Sequence, residues 1–214
     1  MSLVVEDVVR TPGSALITLV RHGQTAANTG GVWHGSTDTP LSEHGQGQAA
    51  RVAAHLADVA DDVAAVFASP LQRARHTAGA IAGALSLEVE VHAGLGEYDL
   101  GEWEGLTYEH LHKEKNLWEH MAQDPDFAPH GGESPRDVTE RLIGALEELA
   151  ERHAGEHVVA VSHGGAMALA LGYLIEREFG RWKRVMGNCA VTQIELEPAP
   201  RLLAFNHTAH LEDD

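Results

Sequence analysis

An arginine and a histidine stand at the end of a predicted buried strand. Residues 16–20 form an apolar, largely β-branched run, and Arg21, His22 and Gly23 follow it directly. Such a run is typical of a strand that is buried on both faces. In open α/β sheets, ligands bind outside the carboxyl ends of the strands, so a cation beside an imidazole would suit a small anionic substrate. Because the chain has fifteen histidines, this pair taken alone is equally compatible with a surface turn.

Two further segments repeat this pattern. Residues 158–161 form an apolar strand, and His163 follows where a predicted helix begins, a place where free amides and the helix dipole favour anions. After another short apolar strand, Ser69 suits the N-cap of a helix and Pro70 its first position. This would hold Arg73 on a stiff first turn beside the same sheet edge. Three strand ends with two histidines and two arginines therefore indicate one built site.

The segments resemble those of a known family. The chain is similar to the histidine phosphatase superfamily, in its phosphoglycerate mutase-like branch, and the similar pieces follow the family's order from residue 16 to about 206. A lone Arg-His-Gly tripeptide would mean little, whereas the ordered set is specific. The pieces are Arg21-His22-Gly23, Asn28, Leu41-Ser42 with Gly45, Ser69-Pro70-Leu71-Gln72-Arg73-Ala74, Glu97, Gly101 with Trp103-Glu104-Gly105, Gly131-Gly132-Glu133-Ser134, and Ser162-His163-Gly164-Gly165.

The resemblance implies a reaction mechanism. In it, His22 attacks the phosphorus in line and becomes a phosphohistidine, while Arg21, Arg73 and a cationic His163 donate to the phosphate oxygens. Glu97 protonates the ester oxygen and then deprotonates the water that cleaves the intermediate. Elementary chemistry agrees, because a neutral imidazole is a competent nucleophile near neutral pH and guanidinium forks match phosphate.

Other polar residues near these segments are expected to bind substrate or phosphate. Asn28 matches a phosphate-binding position of the family, and His34 and Gly35 fall where the family contacts substrate. For Gln24, ordinary turn chemistry is nearly as good an explanation. No metal ligand is predicted, and Glu133 is expected to order its loop. The full predicted binding set is Gln24, Thr25, Asn28, His34, Gly35 and Gly164.

Composition and charge narrow the classes of partner. The formal net charge of −17 argues against nucleic acid and anionic membranes as partners. The first residues include Glu6 and Asp7 and lack a long apolar run, so a signal peptide is not expected. Cys189 is the single cysteine, which excludes an internal disulfide and fits a cytoplasmic protein. The expected partner is a small phosphomonoester, and a homodimer is possible.

The pattern of apolar runs predicts an α/β fold. We expect a three-layer α/β/α sandwich with a mostly parallel central sheet, of the phosphoglycerate mutase-like kind. One domain over residues 1–214 is predicted, with loose termini at about 1–14 and 210–214. The predicted elements include helices capped by Ser42, Ser69 and Ser134, the first ending near Val59 and the second near Leu85, a short strand at 87–91, and closing strands at 191–196 and 202–205.

The segment between Leu106 and His130 bears on the type of reaction. Cofactor-dependent mutases of the resembled family carry a longer, base-rich insertion here, whereas this segment is short and holds Lys113 and Lys115 among more numerous acids. This favours hydrolysis of a small sugar phosphate or phosphoglycerate without a cofactor. Weaker similarities at 128–134 and 186–188 point to the branch that includes glucosyl-3-phosphoglycerate phosphatases.

Three alternatives stay open from the sequence. The nearest is a cofactor-dependent phosphoglycerate mutase, which would need 2,3-bisphosphoglycerate. A non-catalytic phosphate-binding module is a second. A metal hydrolase using Glu109, His110 and His112 is a third, but these residues lack a recognised metal-ligand spacing and fit a solvated helix face.

Overall fold

The central sheet has six strands. The structure, a computed structural model, describes residues 10–60, 62–129, 131–181 and 183–212. The strands are β1 (Leu16–Arg21), β2 (Val63–Ala68), β3 (Val89–Val91), β4 (His157–Ser162), β5 (Val191–Glu195) and β6 (Arg201–His207). Their order is β3-β2-β4-β1-β5-β6. The first four in this order pair in parallel, while β5 is antiparallel to both β1 and β6, so the mostly parallel sheet is confirmed.

Helices cover both faces of the sheet. Alternate residues of β4 divide between two buried clusters. Val159 and Val161 pack in the cluster formed with the helices that span 43–59 and 72–85, and Val158 and Ala160 pack in the cluster on the other face. The three-layer sandwich is therefore confirmed. The helices are α1 (Ala26–Gly30), α2 (Glu43–Val59), α3 (Gln72–Leu85), α4 (Tyr108–Lys113), α5 (Leu117–Gln123), α6 (Pro135–Arg152) and α7 (Gly164–Glu176), with 3-10 turns at Ala93–Leu95, Gly101–Trp103 and Ala209–Leu211.

The register of the two central strands places the predicted histidines side by side. Arg21 in β1 is the partner of Ser162 in β4, and the His22 amide donates to the Ser162 carbonyl at 3.1 Å. His22 and His163, one residue further along each strand, therefore leave the same sheet edge together. Gly23 allows the turn that follows, because a Cβ there would lie 2.5 Å from the Gly45 carbonyl oxygen.

Two of the three predicted helix caps are confirmed and one is wrong. The Ser42 hydroxyl accepts from the Gly45 amide at the start of α2, and Ser134 forms a capping box at the start of α6. Ser69, however, is not the cap of α3, which begins at Gln72 after a Leu71 N-cap. The Ser69 hydroxyl instead lies against a buried histidine of the site, which removes it from helix capping.

The ends of the described chain are attached to the fold. The Thr11 amide and hydroxyl both donate to the Glu195 carboxylate at 2.7 Å, and His210 lies half-buried in the last 3-10 turn. The prediction of loose termini is therefore wrong for residues 10–14 and 210–212, while 1–9 and 213–214 lie outside the described residues. Among the helices described, none is long and apolar enough to span a membrane.

Candidate active site

The predicted catalytic side chains converge at the carboxyl edge of the sheet. Arg21, His22, Arg73 and Glu97 line one cavity of about 300 Å³. His163 lies directly behind it, with its ring centroid 5.0 Å from that of His22. Residues from three strand ends and one loop thus share a single site, as the sequence predicted.

The imidazole of His22 is held in one tautomer. Its Nδ1 lies 2.7 Å from the Gly23 carbonyl oxygen, which can only accept, so Nδ1 carries the proton. The other ring nitrogen, Nε2, therefore bears the lone pair. No described residue donates a hydrogen bond to that nitrogen. His22 is only 3% exposed, so the ring is rigidly placed while its nucleophilic atom stays uncommitted.

The surroundings of His22 keep its ring neutral. Burial first, and then the positive charges of Arg21 and Arg73, hold the pKa of His22 well below 6.5. A neutral ring retains the lone pair that attack on phosphorus requires. The two arginines that would bind a phosphate therefore also keep His22, the group that attacks the phosphorus, in its neutral and reactive form.

His163 differs from the cationic donor that the sequence predicted. Its Nδ1 accepts from Arg73 Nε at 3.3 Å, and its Nε2 lies 2.7 Å from the Ser69 hydroxyl. Because an arginine can only donate, the neutral ring carries its proton on Nε2 and donates it to Ser69. Burial, together with His22 and the nearby arginines, holds the pKa of His163 well below 6.5. In this structure His163 orients Arg73 rather than supplying a charge.

Arg73 is fixed by the loop that precedes α2. Its Nη1 donates to the Thr37 carbonyl at 2.8 Å, and its Nη2 donates to the carbonyls of His34 and Gly35 at 3.0 and 2.8 Å. Most of the guanidinium donors are thus engaged by protein, and one N–H of Nη1 remains for a ligand. Arg73 therefore contributes a rigid, buried charge more than the free fork that the sequence predicted.

Arg21 retains more donors for a ligand. Its Nη1 donates to the Met186 carbonyl at 2.6 Å, whereas its buried Nε has no partner among the described residues. Gly164 permits this placement, because a Cβ there would lie 3.0 Å from Arg21 Cζ. Arg21 therefore keeps more N–H donors for a bound anion than Arg73 does.

The carboxylate of Glu97 faces the same cavity and rests on the start of α7. Glu97 Oε1 accepts from the amides of Tyr98 and Ala166, at 2.8 and 2.7 Å, and Oε2 accepts from the Gly165 amide at 3.1 Å. Since Oε2 receives only one of these bonds, it keeps a lone pair that can carry a proton. Glu97 lines the cavity that the sequence analysis expected it to reach, but the sequence gave no sign that this side chain also satisfies helix amides.

An ion pair beneath the loop positions Glu97. Arg141 binds the Glu133 carboxylate through Nε and Nη2, at 2.7 and 2.8 Å. Its remaining donors reach the carbonyls of Gly94, Gly96 and Glu97 at 2.9 to 3.1 Å. Glu133 orders its loop, as the sequence predicted, whereas sequence reasoning missed the role of Arg141.

Replacing Arg141 with methionine should weaken both the fold and the reaction. The change leaves Glu133 without its partner and three carbonyls without a donor, so we expect a loss of about 2–4 kcal/mol in the free energy of unfolding. As a positioning residue for Glu97, it should also lower kcat about tenfold for alkyl phosphates and less for aryl phosphates. Urea unfolding and steady-state kinetics measure both effects.

Arg136 on the same helix offers a matched control for this variant. It pairs with the exposed Asp126, so Arg136→Met should cost less than about 1 kcal/mol and leave the rates unchanged. Equal slowing of alkyl and aryl phosphates in Arg141→Met would mean that Arg141 does not act through Glu97.

The predicted binding residues divide into two groups. Thr25, Asn28, His34 and Gly164 line the cavity. The Thr25 hydroxyl and the Asn28 amide oxygen are engaged in a capping box at α1, which leaves the Asn28 Nδ2 for a ligand. Gln24 is not part of the cavity lining, and its side chain accepts from Ser42.

Gly35 is also outside the cavity lining. Its carbonyl instead accepts from Arg73, so the residue contributes through the backbone. Gln24 and Gly35 were inferred from chain position, which does not determine where a side chain or carbonyl points.

Tyr108 and Asn188 are among the cavity residues that sequence reasoning missed. Tyr108 lines the cavity, and burial together with the charge of Glu97 raises the pKa of its hydroxyl, which therefore stays a donor. The Asn188 amide donates to the carbonyl of His22 at 2.9 Å and to the Asn28 side chain at 3.2 Å. The motif at 186–188 was the signal that could have identified Asn188.

The two buried site histidines predict a loss of stability in mild acid. Their pKa values are held below 6.5 in the folded chain, so unfolding takes up protons below that pH. The free energy of unfolding should therefore fall between about pH 6.5 and 5, by up to about 1.4 kcal/mol per pH unit for each histidine. Urea unfolding at several pH values, on the wild type and on His22→Ala, measures this.

His22→Ala should show a shallower slope of the free energy of unfolding against pH than the wild type. Replacement of the exposed His76 should leave that slope unchanged. A free energy of unfolding that is constant across this range would contradict the assignment of neutral, buried rings.

Comparison with known proteins agrees with this geometry. The profile of the histidine phosphatase superfamily (branch 1) matches residues 17–208. Glucosyl-3-phosphoglycerate phosphatase of Mycobacterium tuberculosis is 33% identical over 92% of this chain and 97% of its own length. A probable phosphoglycerate mutase of Klebsiella pneumoniae is 31% identical over 87% of each chain. The structure of an Entamoeba histolytica phosphoserine phosphatase with 3-phosphoglyceric acid aligns with a TM-score of 0.82, 30% identity, and 92% and 100% coverage.

Some relatives are longer proteins. A bifunctional protein of Mycobacterium tuberculosis is 32% identical over 91% of this chain, yet the match spans only 54% of that relative's length. The chain therefore spans about half the length of this relative and of two further mycobacterial ones.

Proposed function

The chain belongs to the histidine phosphatase superfamily (branch 1), and we propose that it is a phosphomonoester hydrolase acting through a phosphohistidine at His22. One observation carries the proposal. The ring is fixed with its proton on Nδ1 and its lone pair on Nε2, in a cavity that two arginines share. Phosphoryl transfer requires alignment and charge stabilisation more than covalent chemistry from the protein, and this arrangement supplies both.

In the first step, His22 Nε2 attacks the phosphorus as the bond to the ester oxygen breaks. Arg21 and Arg73 balance the charge of the transferred group. Glu97 gives its proton to the leaving oxygen, which departs as an alcohol. The Glu97 carboxyl rests on the amides of α7 and lines the cavity, which supports this role as the proton donor.

In the second step, water attacks the phosphorus of the phosphohistidine and loses a proton to Glu97. The bond between phosphorus and Nε2 breaks, and inorganic phosphate leaves. The cycle returns His22 to its neutral form and Glu97 to its protonated form. Glu97 gives one proton to the leaving alcohol and regains one from water, so the protons balance over the cycle, and the proposal includes no cofactor.

The positions of the two lysines in the segment between Leu106 and His130 favour hydrolysis over mutase activity. Lys113 pairs with Glu109 at 2.7 Å, and Lys115 lies over the ring of Trp103. Neither lies among the described residues that line the cavity, where the only arginines are Arg21 and Arg73. A second phosphate would meet no second cationic site, so a bisphosphate intermediate would be poorly retained.

Products formed from 3-phosphoglycerate should therefore be almost entirely inorganic phosphate and glycerate. When the enzyme is primed with 2,3-bisphosphoglycerate, we expect at most about one 2-phosphoglycerate per hundred phosphates released, a ratio that corresponds to about 2.7 kcal/mol in favour of water. Phosphorus NMR of the reaction mixture separates the isomers. Catalytic conversion to 2-phosphoglycerate without phosphate release would establish the mutase alternative.

The substrate class follows from the cavity and the relatives. A volume of about 300 Å³ is at the small end of ligand sites, which suits a phosphorylated glycerate, serine or sugar. Relatives named as phosphatases of glucosyl-3-phosphoglycerate and phosphoserine support this class. A panel of these esters together with phosphotyrosyl peptides tests it. Turnover confined to the peptides would overturn the proposed class, and turnover of none would favour a binding module.

A further inference from the structure

Three histidines lie together on the side of the fold formed by α2 and the C-terminal segment. His55 is on α2, His207 ends β6, and His210 is in the 3-10 turn that follows. One ring nitrogen from each lies within 4.8 Å of the other two. The rings are nearly parallel, and the centroids of His55 and His210 are 4.7 Å apart. All three residues are half-buried.

The tautomer of His210 is set for metal binding. Its Nε2 lies 3.0 Å from the Cys189 carbonyl oxygen, which can only accept, so the proton is on Nε2 and the lone pair is on Nδ1. Histidines that bind metal typically donate their second ring nitrogen to a carbonyl or carboxylate in this way. The Nδ1 atoms of both His207 and His210 are buried and have no hydrogen-bond partner among the described residues.

We propose that His55, His207 and His210 form a binding site for one divalent transition-metal ion, with zinc as the type case. Zinc binds histidine nitrogens at about 2.0–2.1 Å, so in tetrahedral geometry its ligands lie about 3.3 Å from each other. The nitrogens would have to approach by at most about 1.5 Å, and the stacked rings would have to turn so that their in-plane lone pairs converge on the ion. A fourth position would be left for water.

The chemistry of the three donors selects the class of ion. Neutral imidazoles suit zinc, copper and nickel, whereas magnesium and calcium prefer oxygen ligands. The group contains no carboxylate. The sequence analysis predicted no metal ligands, because His55 and His210 are far apart in the chain and only the fold brings them together.

The ion would join elements that are distant in sequence. It would tie the end of β6 and the turn at Ala209–Leu211 to α2, so it should stabilise the folded chain. None of the three histidines lines the phosphate cavity, and the proposed hydrolysis does not depend on them.

Metal binding to the full chain tests the proposal directly. The protein is stripped with a chelator and titrated with Zn²⁺ by calorimetry, and with Co²⁺ by visible absorption. We expect one tight site, and His210→Gln should weaken it about 100-fold or more. A free zinc concentration about 100 times the Kd should raise the Tm by about 5–10 °C.

Two matched variants separate this site from other histidines. His44→Gln changes an exposed histidine on the same helix and should bind zinc as the wild type does. His22→Ala removes the cavity imidazole and should also keep the tight site. The proposal is overturned if the stripped wild type binds neither ion, if folded His210→Gln binds zinc as tightly as the wild type, or if His22→Ala loses the tight site. Circular dichroism checks that each variant is folded. The titration of the wild type tests the proposal even if a variant fails to fold.

Discussion

Replacing His22 with alanine is expected to lower kcat by about 10⁴-fold or more with every phosphomonoester. The reason is that Nε2 of His22 is the atom to which phosphorus would be transferred, and His163 lies behind it with both ring nitrogens engaged. Arg21, Arg73 and Glu97 would remain, so the variant should still bind inorganic phosphate. Steady-state kinetics and a phosphate-binding titration measure the two properties separately.

A surface histidine provides the control for this result. His76 on α3 is exposed, and its replacement with alanine should leave kcat unchanged. Circular dichroism at neutral pH should show that His22→Ala keeps its fold, because removing a buried neutral ring leaves no unpaired charge. A variant that retains more than about one per cent of turnover would be incompatible with a phosphohistidine at this position.

Replacing Glu97 with glutamine is expected to affect poor leaving groups far more than good ones. The glutamine oxygen can still accept from the amides of Tyr98 and Ala166, and only the Gly165 amide loses its acceptor. The loop should therefore stay in place, but no proton can be delivered. General acid catalysis typically contributes about 10²–10⁴-fold, so kcat for alkyl phosphates should fall by about that range. Aryl phosphates, whose leaving group needs little protonation, should slow in the first step by less than about tenfold.

Single-turnover kinetics isolate that first step from hydrolysis of the intermediate. Glu102 lies in the same segment with an exposed side chain, and Glu102→Gln should match the wild type for both substrate types. If Glu97→Gln slowed alkyl and aryl esters equally, the carboxyl would act through positioning or charge and not as the acid.

The sequence was sufficient to predict the fold because its signals are local. The apolar strands β1 and β4 and the serine caps of α2 and α6 all depend on residues adjacent in the chain. Once those strands are parallel neighbours, their ends must meet. The convergence of His22 and His163 therefore follows from strand order and register.

What the sequence could not supply is the direction of individual side chains. Ser69 has the residue type of a helix cap, yet it binds His163, because tertiary contact outweighs a local preference. Gln24 follows the nucleophile in the chain but turns toward Ser42. Tyr108, the first residue of α4, lines the cavity because α4 packs over the cavity. No local sequence pattern encodes that packing.

Charge state was equally hidden from the sequence. A histidine beside two arginines at a phosphate site was interpreted as a cation, because only the bound anion was considered. Complete burial of His163 and the repulsion from its neighbours lower its pKa instead. The field of the site is therefore supplied by Arg21 and Arg73.

Trapping the covalent intermediate tests the central claim most directly. Glu97→Gln should form the phosphoenzyme from an aryl phosphate and hydrolyse it slowly, since no base activates water. After an alkaline quench, which preserves phosphohistidine, mass spectrometry of the digested protein should find one phosphoryl group on the peptide that contains His22. Phosphorus NMR should assign it to Nε2. Turnover without any phosphorylated peptide, or a phosphoryl group on another residue, would contradict the account.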